Sequence, residues 1–473
     1  MPLRAKIIGV EASSRAQMST KVPAEFREQR SDDPDDVLFN SLYGLRTIQL
    51  NRPKKLNSLN ASMIRKILPR LVEWEKSDLA NVVVMKGFGE KAFCAGGDVA
   101  ALAEYNQKHK DGWKTSADYF ALEYKLDHYI ATYGKPYIAF MDGITMGGGV
   151  GLSIHAPFRI ATERTVFAMP ETTIGFFPDV GASFFLPRMP GAVGTYLALT
   201  SERLKGANVF YSGIATHYLH STSLPHLESR LAEIRFRDYD SIEKRLQIIG
   251  QTLDEYATGL PHDTPILISG ELRQAIDRCF SKSSINDIVA ALKAEEGSMK
   301  EWAEKTLDTL HKRSPTAVNV ALRQMRIGRG WSIAETFQRE HQIATKFMQH
   351  PDFTEGVTAL LVRKEEPKWN PAALEDVKSD VADPFFESTG ESLELLNDRD
   401  YKEYPYPYFA LPTENEVRQV VLEGQHTPQE VERKVIASRR GRQGVAEVVK
   451  EIVARKVVNN EDGRAAWAEE ENQ

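Results

Sequence analysis

The sequence predicts an α/β domain that continues into a helical region and ends in an appended tail. Short apolar strands alternate with amphipathic helices from about residue 37, and helical periodicity dominates from about residue 281. The last hundred or so residues differ again in composition. The predicted boundaries are therefore 37–280 for the α/β core, 281–371 for the helical part of the same domain, and 372–473 for the tail.

Strands in the core are predicted where short apolar runs occur between turns. These runs are 45–50, 81–85, 137–141, 158–161 and 165–168. A helix is predicted from Ser62 to about Glu75, in which Pro69 indicates a kink or a restart. The segment 144–154 begins with glycines and is predicted to continue into an apolar helix.

The later part of the chain carries mostly helical patterns. The helical region is predicted to contain helices at 284–292, 299–312, 317–327 and 332–348. In the tail, Thr427, Pro428 and Glu430 form a helix-start signature, with a Thr cap, Pro at the first position and Glu at the capping-box site. A valine-rich stripe from 445 to 453 predicts a second tail helix.

Composition excludes several classes of protein. With 42% hydrophobic and 27% charged residues, the chain is typical of a globular protein. A net charge of -6 gives no global basic field for nucleic acid. Two cysteines, Cys94 and Cys279, exclude a disulfide scaffold and a cysteine-built zinc site, and suit a reducing compartment. Since no apolar run approaches about 20 residues, no membrane span is predicted.

Residues 1–36 are predicted to be a targeting segment or a disordered N-terminus. Between positions 1 and 21, Arg4, Lys6, Arg15 and Lys21 are accompanied by a single acid, Glu11, and lie among serines and threonines, a composition that resembles a mitochondrial targeting segment. Two glutamates further on, at positions 25 and 28, weaken this signal. A frayed terminus is the alternative. The acidic run at 31–36 is predicted to be a linker.

Two glycine-rich turns are candidates for binding a carbonyl oxygen. The first spans 92–99 and includes Gly97, and the second spans 143–152 and includes Gly148. Glycines let a ligand approach the backbone, and N–H groups at the start of a helix are free donors. Two such turns facing each other could form an oxyanion hole. The alternative is a pair of tight turns with close helix–strand packing.

Two acids downstream, Glu171 and Asp179, lie in a run of apolar and small residues. Apolar surroundings disfavour a carboxylate, which can tune an acid for base or nucleophile chemistry near neutral pH. Helix and turn capping is the alternative role. Rossmann, P-loop, zinc-protease and serine-hydrolase motifs are absent from the sequence, and the histidines show no ligand spacing, so neither a metal nor a redox cofactor is predicted.

The segments 50–60, 93–99, 143–152 and 167–181 resemble the crotonase superfamily, and more narrowly its 3-hydroxyisobutyryl-CoA hydrolase branch. The resemblance runs from about residue 37 to about residue 372. It implies a crotonase-type ββα spiral with two roughly perpendicular sheets. It also implies hydrolysis of an acyl-CoA thioester, 3-hydroxyisobutyryl-CoA, in mitochondrial valine catabolism, with coenzyme A as part of the substrate and no separate cofactor.

The resemblance also assigns roles to residues. Gly97 and Gly148 are expected to donate the oxyanion N–H groups, with Glu171 as the principal catalytic acid and Asp179 as its partner. Glu123 matches a substrate-contacting glutamate of the hydrolase branch.

The stretch 52–56 corresponds to the segment that lines the CoA adenine pocket, so Lys54, Lys55 and Leu56 are expected to bind substrate. Hydratases of the superfamily place a second glutamate where this chain has Gly151, and this departure favours thioester hydrolysis.

The tail, 372–473, is not covered by the enzyme resemblance. Eight basic residues against four acids between positions 430 and 456 give it a balance of 8 − 4 = +4. It looks like the fungal form of this family, which is a component of the mitochondrial small ribosomal subunit. The tail is therefore expected to contact ribosomal proteins or rRNA phosphates in the mitochondrial matrix. A solvated or self-packed helical hairpin is the alternative.

Overall fold

The computed structural model describes residues 22–388, 390 and 392–468. The strands in these residues are β1 (Val37–Leu42), β2 (Leu45–Leu50), β3 (Val82–Gly87), β4 (Ala92–Cys94), β5 (Tyr137–Met141), β6 (Ile144–Met146), β7 (Phe158–Ala161), β8 (Val166–Ala168), β9 (Leu204–Lys205), β10 (His217–Tyr218), β11 (Val457–Asn459) and β12 (Ala465–Trp467).

The helices up to residue 256 are α1 (Ala61–Lys76), α2 (Val99–Lys108), α3 (Gly112–Ala131), α4 (Gly148–Ile154), α5 (Ala182–Phe185), α6 (Val193–Thr200), α7 (Ala207–Tyr211), α8 (Leu224–Glu233) and α9 (Ile242–Tyr256). The helices that follow are α10 (Gly270–Phe280), α11 (Ile285–Lys293), α12 (Lys300–His311), α13 (Pro315–Ile327), α14 (Ile333–Gln349), α15 (Pro351–Val357), α16 (Asp383–Phe386), α17 (Glu414–Leu422), α18 (Pro428–Ser438) and α19 (Val445–Lys456). None of these helices is both long enough and apolar enough to cross a membrane.

Two sheets alternate along the chain. The larger has the order β1-β2-β3-β5-β7-β10, and the smaller has the order β4-β6-β8-β9. Successive pairs of strands, β3 with β4, β5 with β6 and β7 with β8, each place one strand in each sheet. The strands from β2 to β10 in the larger sheet are parallel, as are β4, β6 and β8 in the smaller one. This is the repeated ββα spiral that the motif resemblance implied.

The central strands of the larger sheet are buried on both faces. Along β3, Val83 and Met85 enter the main hydrophobic core, whereas Val82 and Val84 enter a second core beneath helices α8 and α9. Successive side chains point to opposite faces of a strand, so a strand covered on both sides reads as a continuous apolar run. The sequence runs at 137–141 and 158–161 were correctly predicted as strands for this reason.

The first long helix of the core, α1, is one continuous element. Its cap Asn60 accepts a hydrogen bond from the Met63 N–H, and the helix continues through Pro69 to Lys76. The alternative of a restart at Pro69 is therefore wrong. The predicted helices of the later region are confirmed as α11 to α14, within two residues at each end.

Part of the N-terminal prediction is wrong. Residues 1–21, which carry most of the targeting signal, lie outside the described residues. Residues 22–36 were predicted to be targeting sequence, disordered chain and linker, but they pack against α1. Asp32 forms an ion pair with Arg65, Asp36 forms a buried one with Lys66, and Phe26 lies in the core. The acidic run is fixed because each buried carboxylate meets a cation of α1.

The C-terminal extension packs against the α/β core along much of its length. Phe409 enters the second core, where its ring centroid lies 4.7 Å from that of Phe158. The predicted capping box is confirmed at α18, where Thr427 and Glu430 bond each other's backbone N–H groups. Helices α17, α18 and α19 contact one another and the ribbon of β11 and β12. The alternative of a solvated or merely self-packed hairpin is therefore wrong.

Candidate functional site

Three neighbouring parallel strands of the smaller sheet bring the predicted site residues together. Strand β4 leads into Gly97, β6 leads into Gly148, and β8 leads into Glu171. The carboxyl ends of parallel strands meet at the same edge of a sheet, where ligands of α/β proteins bind. The three motifs, which are separated by up to 74 positions in the sequence, thus form one site.

The two glycine turns lie against each other. A Cβ added at Gly148 would stand 3.4 Å from the backbone nitrogen of Gly97, and one added at Gly147 would stand 3.4 Å from the Cα of Gly96. The first turn is held by Leu59, whose N–H donates to the Gly96 carbonyl at 2.8 Å and whose carbonyl accepts from the Asp98 N–H at 2.8 Å. Backbone donors fixed in this way need no reorganisation when they stabilise a developing oxyanion.

Glu171 is the first residue of the 3-10 helix Glu171–Ile174, directly after β8. Its Oε1 lies 3.1 Å from the position of a Cβ at Gly147, so the carboxyl group faces the second glycine turn. Its Oε2 has no hydrogen-bond partner among the described residues. Burial, followed by the charge of Asp179, raises the pKa of Glu171 well above its usual value. Such an acid can act as a base near neutral pH.

Asp179 lies nearby, and its ionised form is better stabilised than that of Glu171. The hydroxyl of Tyr124, on α3, donates a hydrogen bond to its Oδ2 at 2.7 Å. Burial raises the pKa of Asp179 to about 7, against the lowering effect of that hydrogen bond. Because several carboxyls share this region, they cannot all ionise together.

Glu123, also on α3, points at the second glycine turn. A Cβ at Gly148 would stand only 2.4 Å from its Oε1, so a residue larger than glycine would displace this carboxyl. The same oxygen has no hydrogen-bond partner among the described residues. Burial raises the pKa of Glu123 well above its usual value, and the charge of Asp179 adds to the effect.

Two further buried acids belong to this cluster and were missed by the sequence analysis. Asp127 follows Glu123 by one turn of α3, and Glu340 on α14 accepts hydrogen bonds from the N–H groups of Gly181 and Ser183 at 2.7 and 2.8 Å. Burial raises the pKa of Glu340 to about 8. The signal that could have found Asp127 is its spacing of four from Glu123 in an aromatic, apolar helix.

The predicted substrate segment adjoins the first glycine turn. The Leu56 carbonyl accepts a hydrogen bond from the Ala95 N–H at 3.0 Å. Lys55 Nζ lies 2.8 Å from the Asp98 carboxylate, to which Arg52 also binds. Lys54 is exposed. The structure therefore brings this segment to the same edge of the sheet, with its lysines at the surface.

Other polar features near the site have structural partners. His155, at the end of α4, contacts the Val180 carbonyl through Nε2 at 2.9 Å, and burial lowers its pKa to about 4. Burial raises the pKa of the Cys94 thiol to about 12. Within 22–388, 390 and 392–468, no group of three or more His, Cys, Asp or Glu side chains is arranged to hold a metal ion. A cavity of about 420 Å³ lies elsewhere, between the core and the extension, and the predicted catalytic residues do not line it.

Residues 45–386 match a family model described as enoyl-CoA hydratase/isomerase. A mitochondrial 3-hydroxyisobutyryl-CoA hydrolase from Gallus gallus is 43% identical to this chain over 367 residues, covering 77% of this chain and 92% of the hydrolase. Two solved structures resemble the fold. A carnitinyl-CoA dehydratase from Mycobacterium thermoresistibile has a TM-score of 0.67 and 33% identity, covering 76% of this chain and 98% of that chain. An enoyl-CoA hydratase from Rhodobacter sphaeroides 2.4.1 has a TM-score of 0.65 and 30% identity, covering 76% of this chain and 100% of that chain.

A relative of another kind covers more of the chain. The small ribosomal subunit protein mS47 of Neurospora crassa is 58% identical over 473 residues, covering 97% of this chain and 92% of that protein. A coverage of 97% takes in most of the C-terminal extension, whereas the family model ends at residue 386. The predicted fold and the predicted resemblance to both kinds of protein are confirmed.

Proposed function

Because this chain belongs to the enoyl-CoA hydratase/isomerase family, we propose that it hydrolyses acyl-CoA thioesters, with 3-hydroxyisobutyryl-CoA of valine catabolism as the substrate. The observation that carries the proposal is the convergence of Gly97, Gly148 and Glu171 at one edge of the smaller sheet. Relatives named 3-hydroxyisobutyryl-CoA hydrolase support the acyl group. Gly151, at the place of the hydratases' second glutamate, favours hydrolysis over hydration.

In the proposed reaction, the thioester oxygen accepts hydrogen bonds from the N–H groups of Gly97 and Gly148 as it becomes negative. Glu171 either attacks the carbonyl carbon or takes a proton from the attacking water. The C–S bond then breaks. Where Glu171 has attacked, its carboxyl group holds the acyl group as an anhydride, which water hydrolyses to release the acid and regenerate Glu171. The thiolate of coenzyme A takes up a proton. Asp179 orients Glu171 or supplies that proton, and Glu123 contacts the acyl group. Exposed Lys54 and Lys55, with Leu56, bind the CoA portion.

The test replaces Glu171 by glutamine in the full chain and measures turnover of 3-hydroxyisobutyryl-CoA together with several short acyl-CoAs. Loss of a general base typically lowers the rate by about 10²–10⁴, so we expect kcat to fall by that factor. Glu228→Gln is the matched control, because Glu228 pairs with Lys86 on another part of the molecule. Activity of Glu171→Gln close to that of the wild type would refute the assigned role. An inactive wild type would refute the hydrolase proposal itself.

A second function is favoured by the alignment along the extension. We propose that the chain is also a component of the small subunit of the mitochondrial ribosome, located in the matrix. The mS47 relative, which is 58% identical over the whole alignment, also covers most of the extension, and the hydrolase relatives are named mitochondrial. The two functions are compatible, since the acids of the site lie in the core and the extension packs on it.

The structure indicates which basic residues to test for ribosome binding. Three arginines of the extension point inward, because Arg439 pairs with Glu416, Arg442 with Asp254 and Arg455 with Glu414. Other basic side chains are exposed, namely Arg433, Arg440 and Lys450. They are the candidates for contact with rRNA phosphates or acidic protein surfaces.

The experiment follows sedimentation of the full chain with mitochondrial small subunits at high magnesium. Deletion of the extension would expose Phe158 to solvent and leave Asp254 without Arg442, its ion-pair partner. Point variants are preferable because they leave these contacts in place. Changing Arg433, Arg440 and Lys450 to glutamate together should move the protein to the free pool. Matched changes at exposed Lys293, Lys300 and Lys312 in the helical region should leave it bound. A wild-type protein found wholly in the free pool would refute the ribosomal proposal.

A further inference from the structure

Asp127 is a buried acid to which none of the roles above applies. It lies on α3 one turn after Glu123, so the two carboxyl groups share a face of that helix. Its side chain is fully buried, and neither Oδ1 nor Oδ2 has a hydrogen-bond partner among the described residues. A buried polar group without partners is costly, by about 1–3 kcal/mol or more. A buried, strongly perturbed acid beside a candidate site is itself a candidate functional residue.

The helix opposite is shaped to receive both acids. Helix α4 has glycine at the two positions where α3 approaches. A Cβ at Gly148 would stand 2.4 Å from Oε1 of Glu123, and a Cβ at Gly151 would stand 2.4 Å from Oδ2 of Asp127. Since these glycines are three residues apart, they lie on one face of α4 and form two adjacent recesses. Asp127 therefore occupies the space that any side chain at position 151 would fill.

The surroundings of Asp127 disfavour its negative charge. The ionisable groups that act on it come from several elements: Glu123 of its own helix, Asp179 of the loop after β8, and Glu340 of α14. Cys94 of β4 and Tyr137 of β5 also lie within its electrostatic reach. Burial, and then Glu123, raise the pKa of Asp127 well above its usual value. Asp179 and Glu340, by contrast, each accept hydrogen bonds that favour ionisation.

We propose that Asp127 is a positioning residue that acts through Glu123. It stays a neutral carboxylic acid in the recess at Gly151, and its neutrality fixes the charge and the orientation of Glu123 beside the acyl group. Ionisation of Asp127 at high pH places a negative charge next to Glu123, disturbs the orientation of that side chain and lowers turnover. This inference rests on the proposed hydrolase function, and it assigns to Asp127 the alkaline limb of the pH–rate profile.

The test compares wild type with Asp127→Asn, a neutral isostere that cannot ionise. We expect kcat near neutral pH to stay within about threefold of the wild type, while the alkaline limb of kcat/KM moves up by about one pH unit or disappears. Asp142→Asn is the control, because Asp142 is a half-buried aspartate held by Arg164 outside the cluster. Its profile should match that of the wild type. Identical profiles for wild type and Asp127→Asn would overturn the inference.

A second readout does not need activity. The infrared difference spectrum of wild type minus Asp127→Asn at neutral pH should contain the C=O stretch of a protonated carboxylic acid. A carboxylate band in its place would overturn the inference even if the enzyme is active. An inactive wild type that shows the protonated band would instead refute the hydrolase proposal and, with it, the kinetic role of Asp127, while the neutral state of Asp127 would stand. Should Asp127→Asn fail to fold, Asp127→Ser provides the same comparisons, since its smaller side chain fits the recess.

Discussion

The cluster of buried acids at the candidate site and the C-terminal extension both bury ionisable side chains, but in opposite ways. In the cluster, Glu123, Asp127 and Glu171 have carboxyl oxygens without hydrogen-bond partners among the described residues. In the extension, Arg442 and Arg455 each meet a carboxylate. Unpaired burial destabilises a protein, whereas paired burial fixes two elements in register. The first pattern therefore indicates a site for chemistry, and the second indicates an attachment.

This difference also changes how the charge of the extension is understood. The sequence balance of +4 between positions 430 and 456 suggested a surface for a partner. Arg439, Arg442 and Arg455 contribute to that balance, but they bind Glu416, Asp254 and Glu414 within the chain. The positive charge available to a partner is therefore smaller than the composition indicates. Its location is set by the exposed residues that the fold leaves at the surface.

The largest expected effect tests whether the extension is part of the core. Phe409 is 7% exposed and packs on Phe158, and Gly250 of α9 lies beside both rings. Truncating a buried aromatic ring leaves a cavity, so Phe409→Ala should lower the free energy of unfolding by about 3–5 kcal/mol. Urea denaturation measures the change.

The adjacent Tyr408 is the control for this substitution, because it is 44% exposed. Tyr408→Ala should cost about 1 kcal/mol or less. If Phe409→Ala lowered the stability as little as Tyr408→Ala, the packing of the extension would not stabilise the core. The interpretation of the buried ion pairs as an attachment would then be contradicted.

A smaller effect is expected from the ion pair that attaches the extension. Arg442 donates to Asp254 at 3.1 Å and to the carbonyls of Tyr408 and Phe409 at 3.0 and 3.2 Å. Arg442→Gln leaves Asp254 without this cation and should cost about 1–3 kcal/mol in urea denaturation. Arg433→Gln, at an exposed position of α18, should change the stability by no more than about 0.5 kcal/mol. Equal effects of the two variants would show that inward pairing adds nothing to attachment.

The sequence predicted the fold where burial is simple. The strands 137–141 and 158–161 were found at their observed ends because both faces of the larger sheet are covered. The helix α3 was missed because buried acids and tyrosines interrupt its apolar face. Short strands such as β9 and β10, of two residues each, carry no periodicity at all. Their pairing depends on neighbours that are distant in the chain.

The candidate site was predicted in part for a similar reason. Gly97, Gly148 and Glu171 were found through local motifs and the family resemblance. Asp127 was missed because its distinguishing feature is the lack of a hydrogen-bond partner among the described residues, which depends on the folded structure. Glu340 was missed because its distinguishing feature is a hydrogen bond from Ser183, 157 positions away. The inward direction of Arg442 was equally hidden, since its partner Asp254 lies 188 positions earlier.

The smallest expected effect is a difference in how the stabilities of the cluster and the extension depend on pH. Burial raises the pKa of Asp179 to about 7 and that of Glu340 to about 8. A carboxyl whose pKa is raised by folding stabilises the protein fully below its unfolded-state pKa. This stabilisation is lost as pH rises through its folded-state pKa. The cluster should therefore become less stable between about pH 4 and pH 8. Where the extension attaches, burial alone would raise the pKa values of Asp254 of α9 and Glu414 of α17. Arg442 and His217 beside Asp254, and Arg273 and Arg455 beside Glu414, outweigh this effect and lower both.

The pH dependence of stability has the opposite sign in the extension. A carboxyl whose pKa is lowered by folding stabilises the protein above its unfolded-state pKa, and this stabilisation is lost as pH falls through its folded-state pKa. Hydrogen exchange, corrected for intrinsic rates, should separate the two regions. From about pH 8 to about pH 5, protection should rise severalfold in 148–183 and stay unchanged in 404–442. Below about pH 4 it should fall in 404–442. A parallel response of both segments over the whole range would contradict the comparison, because carboxyls paired with a cation and carboxyls without one would then respond to protons alike.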